Sequence, residues 1–362
     1  LFQAQLKMEN PMMTAIADHA WFGIRREVTV ITVLVALILA TLVAAMTTGS
    51  YATPPAQLWD IFTDLVSGRG VAKENSQALY VLTVIRIPRL LLALMVGGCL
   101  AVSGAAYQGL LRNPMVSPDI LGVASGASTG AILCLLVGAP LWVTQGVAFA
   151  FGLGAVAVVL LLGRLIGRGS SKLLVLVLAG VVISSIFSAF TSLIKYIADS
   201  NDKLPTIVFW LMGSFARSGS WNNLIVLAVA MLLGAIPLML LRHRMNVLSF
   251  GEEEAQSMGL DVRRARLVII CCATILTAAA VTLCGNIGWV GLILPHLMRL
   301  VVGPDYRFLL PSCLLAGGLF MLVVDNTVRI LLPGEMPVGI VTSLIGAPLF
   351  IYLLFQGRKD WV

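Results

Sequence analysis

The stretch "RIPRLLLALMVGGCLAVSGAAYQGLLRNPMVSPDILGVASGA" occupies residues 86–127. Between Arg89 and Arg112 it carries no charged side chain. About 20 apolar residues span a bilayer as a helix, so Pro88 to Leu111 reads as one crossing. The next run begins at Ser117-Pro118-Asp119, with proline in the entry turn and a carboxylate at the positive end of the helix dipole. A helix is expected there over Asp119 to Gly138. Its Gly122, Gly126 and Gly130 recur every fourth residue, a spacing that lets helix backbones approach closely in lipid.

Outward from this stretch the same grammar repeats. The 362 residues are 59% hydrophobic and 11% charged, with a mean hydropathy of +0.98. A soluble domain carries roughly 25% charged residues. No period-2 alternation of barrel type separates the apolar runs, and lipid offers an open backbone no partners, so the spans must be helices. Ten crossings are expected: Val28 to Thr48, Pro88 to Leu111, Asp119 to Gly138, Trp142 to Leu162, Leu173 to Ile197, Asn222 to Leu241, Leu267 to Cys284, the short Ile287 to Val302 with Pro295 inside, Phe308 to Leu332, and Val338 to Phe355. With the N-terminus in the cytoplasm, sixteen of the 24 Lys and Arg fall on the cytoplasmic side and eight outside. That bias supports the orientation, with both termini cytoplasmic. The same rule accounts for the net charge of +7 without nucleic acid. Residues 1–27 read as a cytoplasmic tail without the apolar core of a signal peptide, and 28–362 as a single membrane domain. The opening Leu1-Phe2-Gln3 reads as an added leader, with Met8, Met12 or Met13 as the natural start.

Few residues offer chemistry. Cys99, Cys134, Cys271, Cys272, Cys284 and Cys313 lie inside apolar runs without CxxC spacing and read as small hydrophobes. His19, His243 and His296 are scattered to span edges, so no metal site is expected. "GRGSSK" at residues 167–172 lacks the order of a phosphate loop, and no clustered nucleophile suggests an enzyme. Asp325 stands inside a span with Arg329 four residues on. That spacing supports an intrahelical ion pair as well as an ion-coupling role for Asp325, the basis of a secondary-transporter reading. Between the sixth and seventh spans lies "SFGEEEAQSMGLDVRRAR", residues 249–266. Gly251, Ala255 and Gly259 recur every fourth residue, Glu252, Glu253 and Glu254 suit a helix N-terminus, and Gly259 suits a left-handed stop. Two readings stand: a solvated loop, or a compact hairpin whose small-residue face docks in another protein's groove.

Together with "GNIGWVGLILPHLMRLVVGPDYRFLLP" and "MPVGIVTSLIGAPLFIYLL", the stretches at 86–127 and 251–266 resemble the membrane permeases of type II ABC importers, the FecCD/BtuC group. The resemblance covers nearly the whole chain from about residue 28. It implies an all-α polytopic fold of about ten transmembrane helices in a prokaryotic inner membrane. It implies a second permease copy or paralogue, two ATP-binding cassette subunits that hold the ATP and magnesium, and a periplasmic substrate-binding protein. This chain would itself carry no cofactor and catalyse no covalent step. The cargo implied first is an iron–siderophore complex, with haem, vitamin B12 or molybdate as alternatives. The hairpin at 246–266 would be the ATPase-coupling element, through Gly251, Glu252, Glu253, Glu254, Ala255, Met258 and Gly259. Arg86, Arg89 and Arg329 would dock carboxylates of the binding protein. Asn113, Met115, Ser170 and Ser171 would form the cytoplasmic gate, and the short helix near Ile207 would roof the pathway.

Overall fold

A computed structural model describes residues 11–49, 51, 53–68, 70–167, 172–216, 218–331 and 336–357. Every regular element among them is helical. The helices are α1 (Pro11–Thr47), α2 (Pro55–Ser67), α3 (Ile87–Leu110), α4 (Val123–Leu136), α5 (Leu141–Ile166), α6 (Lys172–Ile197), α7 (Lys203–Leu211), α8 (Trp221–Leu240), α9 (Arg242–Phe250), α10 (Glu252–Ser257), α11 (Val262–Cys284), α12 (Val290–Val302), α13 (Tyr306–Leu331) and α14 (Val338–Gly357). Seven are long and apolar enough to cross a bilayer: α1, the run ending in α3, α5, α6, α8, α11 and α13. Three shorter apolar helices, α4, α12 and α14, complete the ten segments expected from the sequence.

The bundle is built around α3. Of its most apolar window 83% is buried, against 11% for α1 and 17% for α6. Between helices in lipid there is no hydrophobic drive, so close packing and interhelical hydrogen bonds must hold the bundle. The sequence of α3 supplies both. A Cβ added at Gly97 would collide with the carbonyl of Gly317 on α13, and one at Gly317 with the carbonyl of Gly97. Likewise Gly104 sits against the carbonyl of Gly291 on α12. Towards α11, the Ser103 hydroxyl lies 2.7 Å from that of Thr277 and donates to the Ala273 carbonyl at 2.9 Å. One turn on, Tyr107 and Thr274 share a hydrogen bond of 2.8 Å.

Three elements differ from the sequence reading, each for a physical reason. The second crossing does not start at Pro88, because the helical run begins at Ser76 and passes through a π turn at Val81–Arg86. A proline has no N–H and its ring clashes with the carbonyl four residues back; widening the preceding turn accommodates Pro88. The third crossing is shorter than expected. Residues 118–121 form a 3-10 turn, Gly122 is left-handed at φ 78°, and the helix proper starts at Val123. Gly126 and Gly130 pack on Phe151 of α5, so that glycine spacing serves a contact within the chain. Finally, the loop after α1 holds α2, an amphipathic helix exposing Trp59, Phe62, Leu65 and Val66. By contrast α12 runs unbroken through Pro295.

Gly97→Ala is expected to destabilise the bundle by more than the roughly 1–3 kcal/mol typical of overpacking, because backbone rather than a side-chain tip stands in the way. Gly146→Ala, an exposed helical site with nothing within 4 Å, should be neutral or slightly stabilising. Thermal unfolding in detergent checks the pair.

Candidate functional site

Two ends of the bundle concentrate polar side chains, and a cavity lies where helices break. The first end gathers the close of α1, the start of the α3 run and the end of α13. Asp325, with no exposed surface, accepts from Arg89 Nε at 3.0 Å and pairs with Arg89 Nη2 at 2.9 Å. Its other oxygen is 3.4 Å from Arg329 Nε. Arg329 also donates to Asn326 Oδ1 at 3.0 Å, which accepts from the Thr48 hydroxyl at 3.0 Å. Arg86 donates to the carbonyls of Met46 and Tyr51. The expected Asp325–Arg329 pair is present, and Arg89 joins it. Arg86 and Arg89 are buried, so their guanidinium groups are engaged within the chain rather than laid open on its surface. Asp325 is likewise closed off and offers a transported ion no open coordination.

The opposite end carries the hairpin. Asp261 caps α11, accepting from Arg264 N at 3.0 Å, and Gly259 is left-handed at φ 80°, the stop its position suggested. The small-residue face is turned the other way from expectation: Gly251 and Ala255 are buried against this chain. A short helix can stack on its neighbour only through its small side, so the larger residues face out. Phe250, Glu253, Glu254, Met258 and Gly259 are exposed. Glu252 pairs with Arg266 and closes the hairpin on itself. Beside it, Asn113 and Met115 are exposed in the loop after α3, where Asn113 Oδ1 accepts from Met115 N at 2.9 Å. Ser170 and Ser171 lie outside the described residues.

Between the two ends, α4 and α12 hold 14 and 13 residues, or about 20 Å each at 1.5 Å per residue, short of a full crossing. The chain between α11 and α12 is irregular. Such backbone is tolerated only when buried in protein or lining water. Here it does both. Ser214 N donates to Cys284 O at 2.8 Å, Val338 N to Gly213 O at 2.8 Å and Gly339 N to Met212 O at 3.1 Å, lashing three loops together. Beside this junction lies a cavity of about 580 Å3 lined by Leu211, Met212, Asn286, Trp289, Ile340 and Ser343, among others. Trp289 adopts φ 73°, one of two non-glycine left-handed residues described. Its ring stacks near Phe350 at 6.1 Å and rests over Gly346. Strain of this kind persists only where the surroundings impose it, and it clusters at functional sites.

A polar stripe on α6 escaped the sequence reading. Ser185, Ser188 and Ser192 are exposed, with Lys195 one turn on; the 3-4-3 spacing puts all four on one face. The signal was present in "SSIFSAFTSLIK" but was hidden by the surrounding hydrophobicity. Among the described residues no group of three or more His, Cys, Asp or Glu could hold a metal ion.

A polytopic helical bundle with short helices beside a cavity is compatible with a transport protein. The FecCD transport family profile matches residues 36–356, and the chain belongs to that family. It is 40% identical over 323 residues to the molybdate import system permease protein MolB of Haemophilus influenzae, covering 89% of this chain and 94% of that one. It is 40% identical over 278 residues to the cobalamin import system permease protein BtuC of Halobacterium salinarum, covering 76% and 74%. A solved structure described as an inward-facing metal-chelate-type ABC transporter superposes with a TM-score of 0.81 at 39% identity, covering 91% of this chain and 99% of that one. The chain is thus a multi-pass permease subunit of the ABC importer class.

Asp325→Asn is expected to destabilise the fold by about 3–5 kcal/mol, because it leaves buried arginines short of a counter-charge. Thermal unfolding of the purified variant reads this directly. Separately, a side chain at Gly251, where φ is 138°, would collide with the Glu254 carboxylate. Gly251→Ala should therefore displace Glu254, strain the hairpin backbone and lower the thermal unfolding temperature.

Proposed function

We propose that this permease moves a metal chelate of iron–siderophore size across the inner membrane, driven by two separate ATP-binding cassette subunits. The carrying observation is the cavity at the broken-helix junction. About 580 Å3 walled by Trp289, Leu211, Ile340 and Leu344, with Asn286 and Ser343 as its polar side chains, suits a bulky chelate with an apolar surface. A small oxyanion would call for convergent cationic donors, and the lining has none. Haem and vitamin B12 are also bulky and remain within the same class. The molybdate alternative is supported by the Haemophilus relative.

The remaining parts follow from the two ends. The hairpin lies on the cytoplasmic side, and its exposed Phe250, Glu253, Glu254 and Met258 face the ATPase: apolar plugs flanked by orienting charge. The buried arginine cluster lies on the outer side under the surface where a binding protein delivers cargo, and Arg86, Arg89 and Arg329 meet its carboxylates once the cluster opens. The polar face of α6 lines the route with a second permease copy, since hydroxyls and a lysine are costly against lipid. Asn113 and Met115, with Ser170 and Ser171, close that route on the cytoplasmic side. ATP binding draws the ATPases together, the hairpins follow, and the spans tilt to exchange access between the two sides.

Reconstitution with the cognate ATPase and binding protein tests this. Uptake of a labelled ferric siderophore should require ATP and should resist excess molybdate. Uptake without ATPase, driven by a proton gradient, contradicts the energy source; uptake of molybdate in preference to chelates contradicts the cargo.

A further inference from the structure

Force that enters at the hairpin must reach the membrane helices through side-chain contacts. Asn246, on α9, supplies one. Its Nδ2 donates to Asp305 Oδ1 at 2.7 Å, and its Oδ1 accepts from Tyr306 N at 2.9 Å. One amide therefore holds both the capping carboxylate and the first backbone N–H of α13. Only a side chain that donates and accepts at once can do this. A carboxylate would repel Asp305, and an ammonium could not accept from Tyr306 N.

Asp305 is itself fixed. Its Oδ1 also accepts from Arg307 N at 2.9 Å, and its Oδ2 pairs with Arg307 Nε at 2.7 Å. Burial works to raise its pKa, but hydrogen bonds from Arg307 and Asn246 and the charge of Arg307 outweigh it and hold the group at about 2. It stays ionised as an acceptor throughout the neutral range. From this cap the contact passes onward. Tyr306 is 3% exposed, and its hydroxyl is seated where a Cβ on Gly109 of α3 would lie. Three residues later, just past the end of α3, Arg112 is left-handed at φ 48°, and the loop bearing Asn113 and Met115 begins. At the hairpin, Met245 and Leu248 bury α9 beside Asn246, the Ser249 hydroxyl donates back to Asn246 O at 2.6 Å, and Glu252 with Arg266 closes the next turn.

We infer that Asn246 is the positioning residue that joins the hairpin to α13, and through Tyr306 to α3 and the gate loop. Displacement of α9 moves the ends of both helices as one body. The inference rests on the hairpin being the ATPase's grip, as proposed above.

The test uses the complete importer in proteoliposomes with labelled ferric siderophore, measuring cargo moved per ATP hydrolysed. Asn246→Ala and Asn246→Asp should assemble and hydrolyse ATP but lose cargo per ATP by at least about tenfold, within the range of ordinary coupling energies. A purely structural role would lower the amount of assembled complex and leave cargo per ATP unchanged. Unchanged cargo per ATP in Asn246→Ala overturns the joint. A second measurement does not depend on variants of Asn246: spin labels at His243 and Pro304 should keep their separation to within about 2 Å between nucleotide-free and ATP-bound states. A change approaching one helical turn, about 5 Å, would show the hairpin slipping past α13. Absence of wild-type ATP-driven uptake in the same vesicles would strike the proposed function, and the label distance would still decide the joint.

Discussion

Gly97 and Gly317 touch backbone to backbone, and the rest of the bundle depends on that contact. It lets α3 and α13 lie so close that neither can carry a Cβ there without displacing the other's carbonyl. The same intimacy recurs between Gly104 and Gly291. Because lipid tails are as apolar as leucine, these contacts and the Ser103–Thr277 and Tyr107–Thr274 hydrogen bonds must bind α3 to its neighbours. A helix so enclosed cannot bend independently. It transmits what happens at one end to the other.

Both ends of α3 and α13 carry polar machinery. At one, Arg89 on α3 and Arg329 on α13 share Asp325; at the other, Tyr306 of α13 is seated on Gly109 of α3. The pair is therefore pinned by charge at the arginine end and by shape at the hairpin end. Irregular backbone precedes both α4 and α12, beside the latter of which the cavity next to Trp289 opens. Rigid centre and broken periphery suit the alternating access proposed above.

Much of this was legible in the sequence. Uncharged runs such as Leu90 to Leu111 announce spans because length and polarity alone decide them. Gly259 announced the hairpin's turn because a left-handed helix stop is local chemistry. The π turn before Pro88 was not legible in detail, since a proline within a helix admits several local solutions. Whether Ala255 faces inward or outward depends on what it stacks against, which spacing does not encode. Asp325 could be paired with Arg329 from their separation of four, but Arg89 lies 236 residues away and only the fold brings it there. Asn246 gave no signal at all: an asparagine near a helix end is ordinary until its two partners across the chain are known.

The most direct test of the account is the distance between spin labels at Ser343, beside the cavity, in the two permease copies of the assembled importer. The account predicts that ATP and magnesium change this distance only when the ATPase subunits are bound. A distance unmoved by nucleotide in the full complex, or one that shifts with a proton gradient in the permease alone, would contradict it.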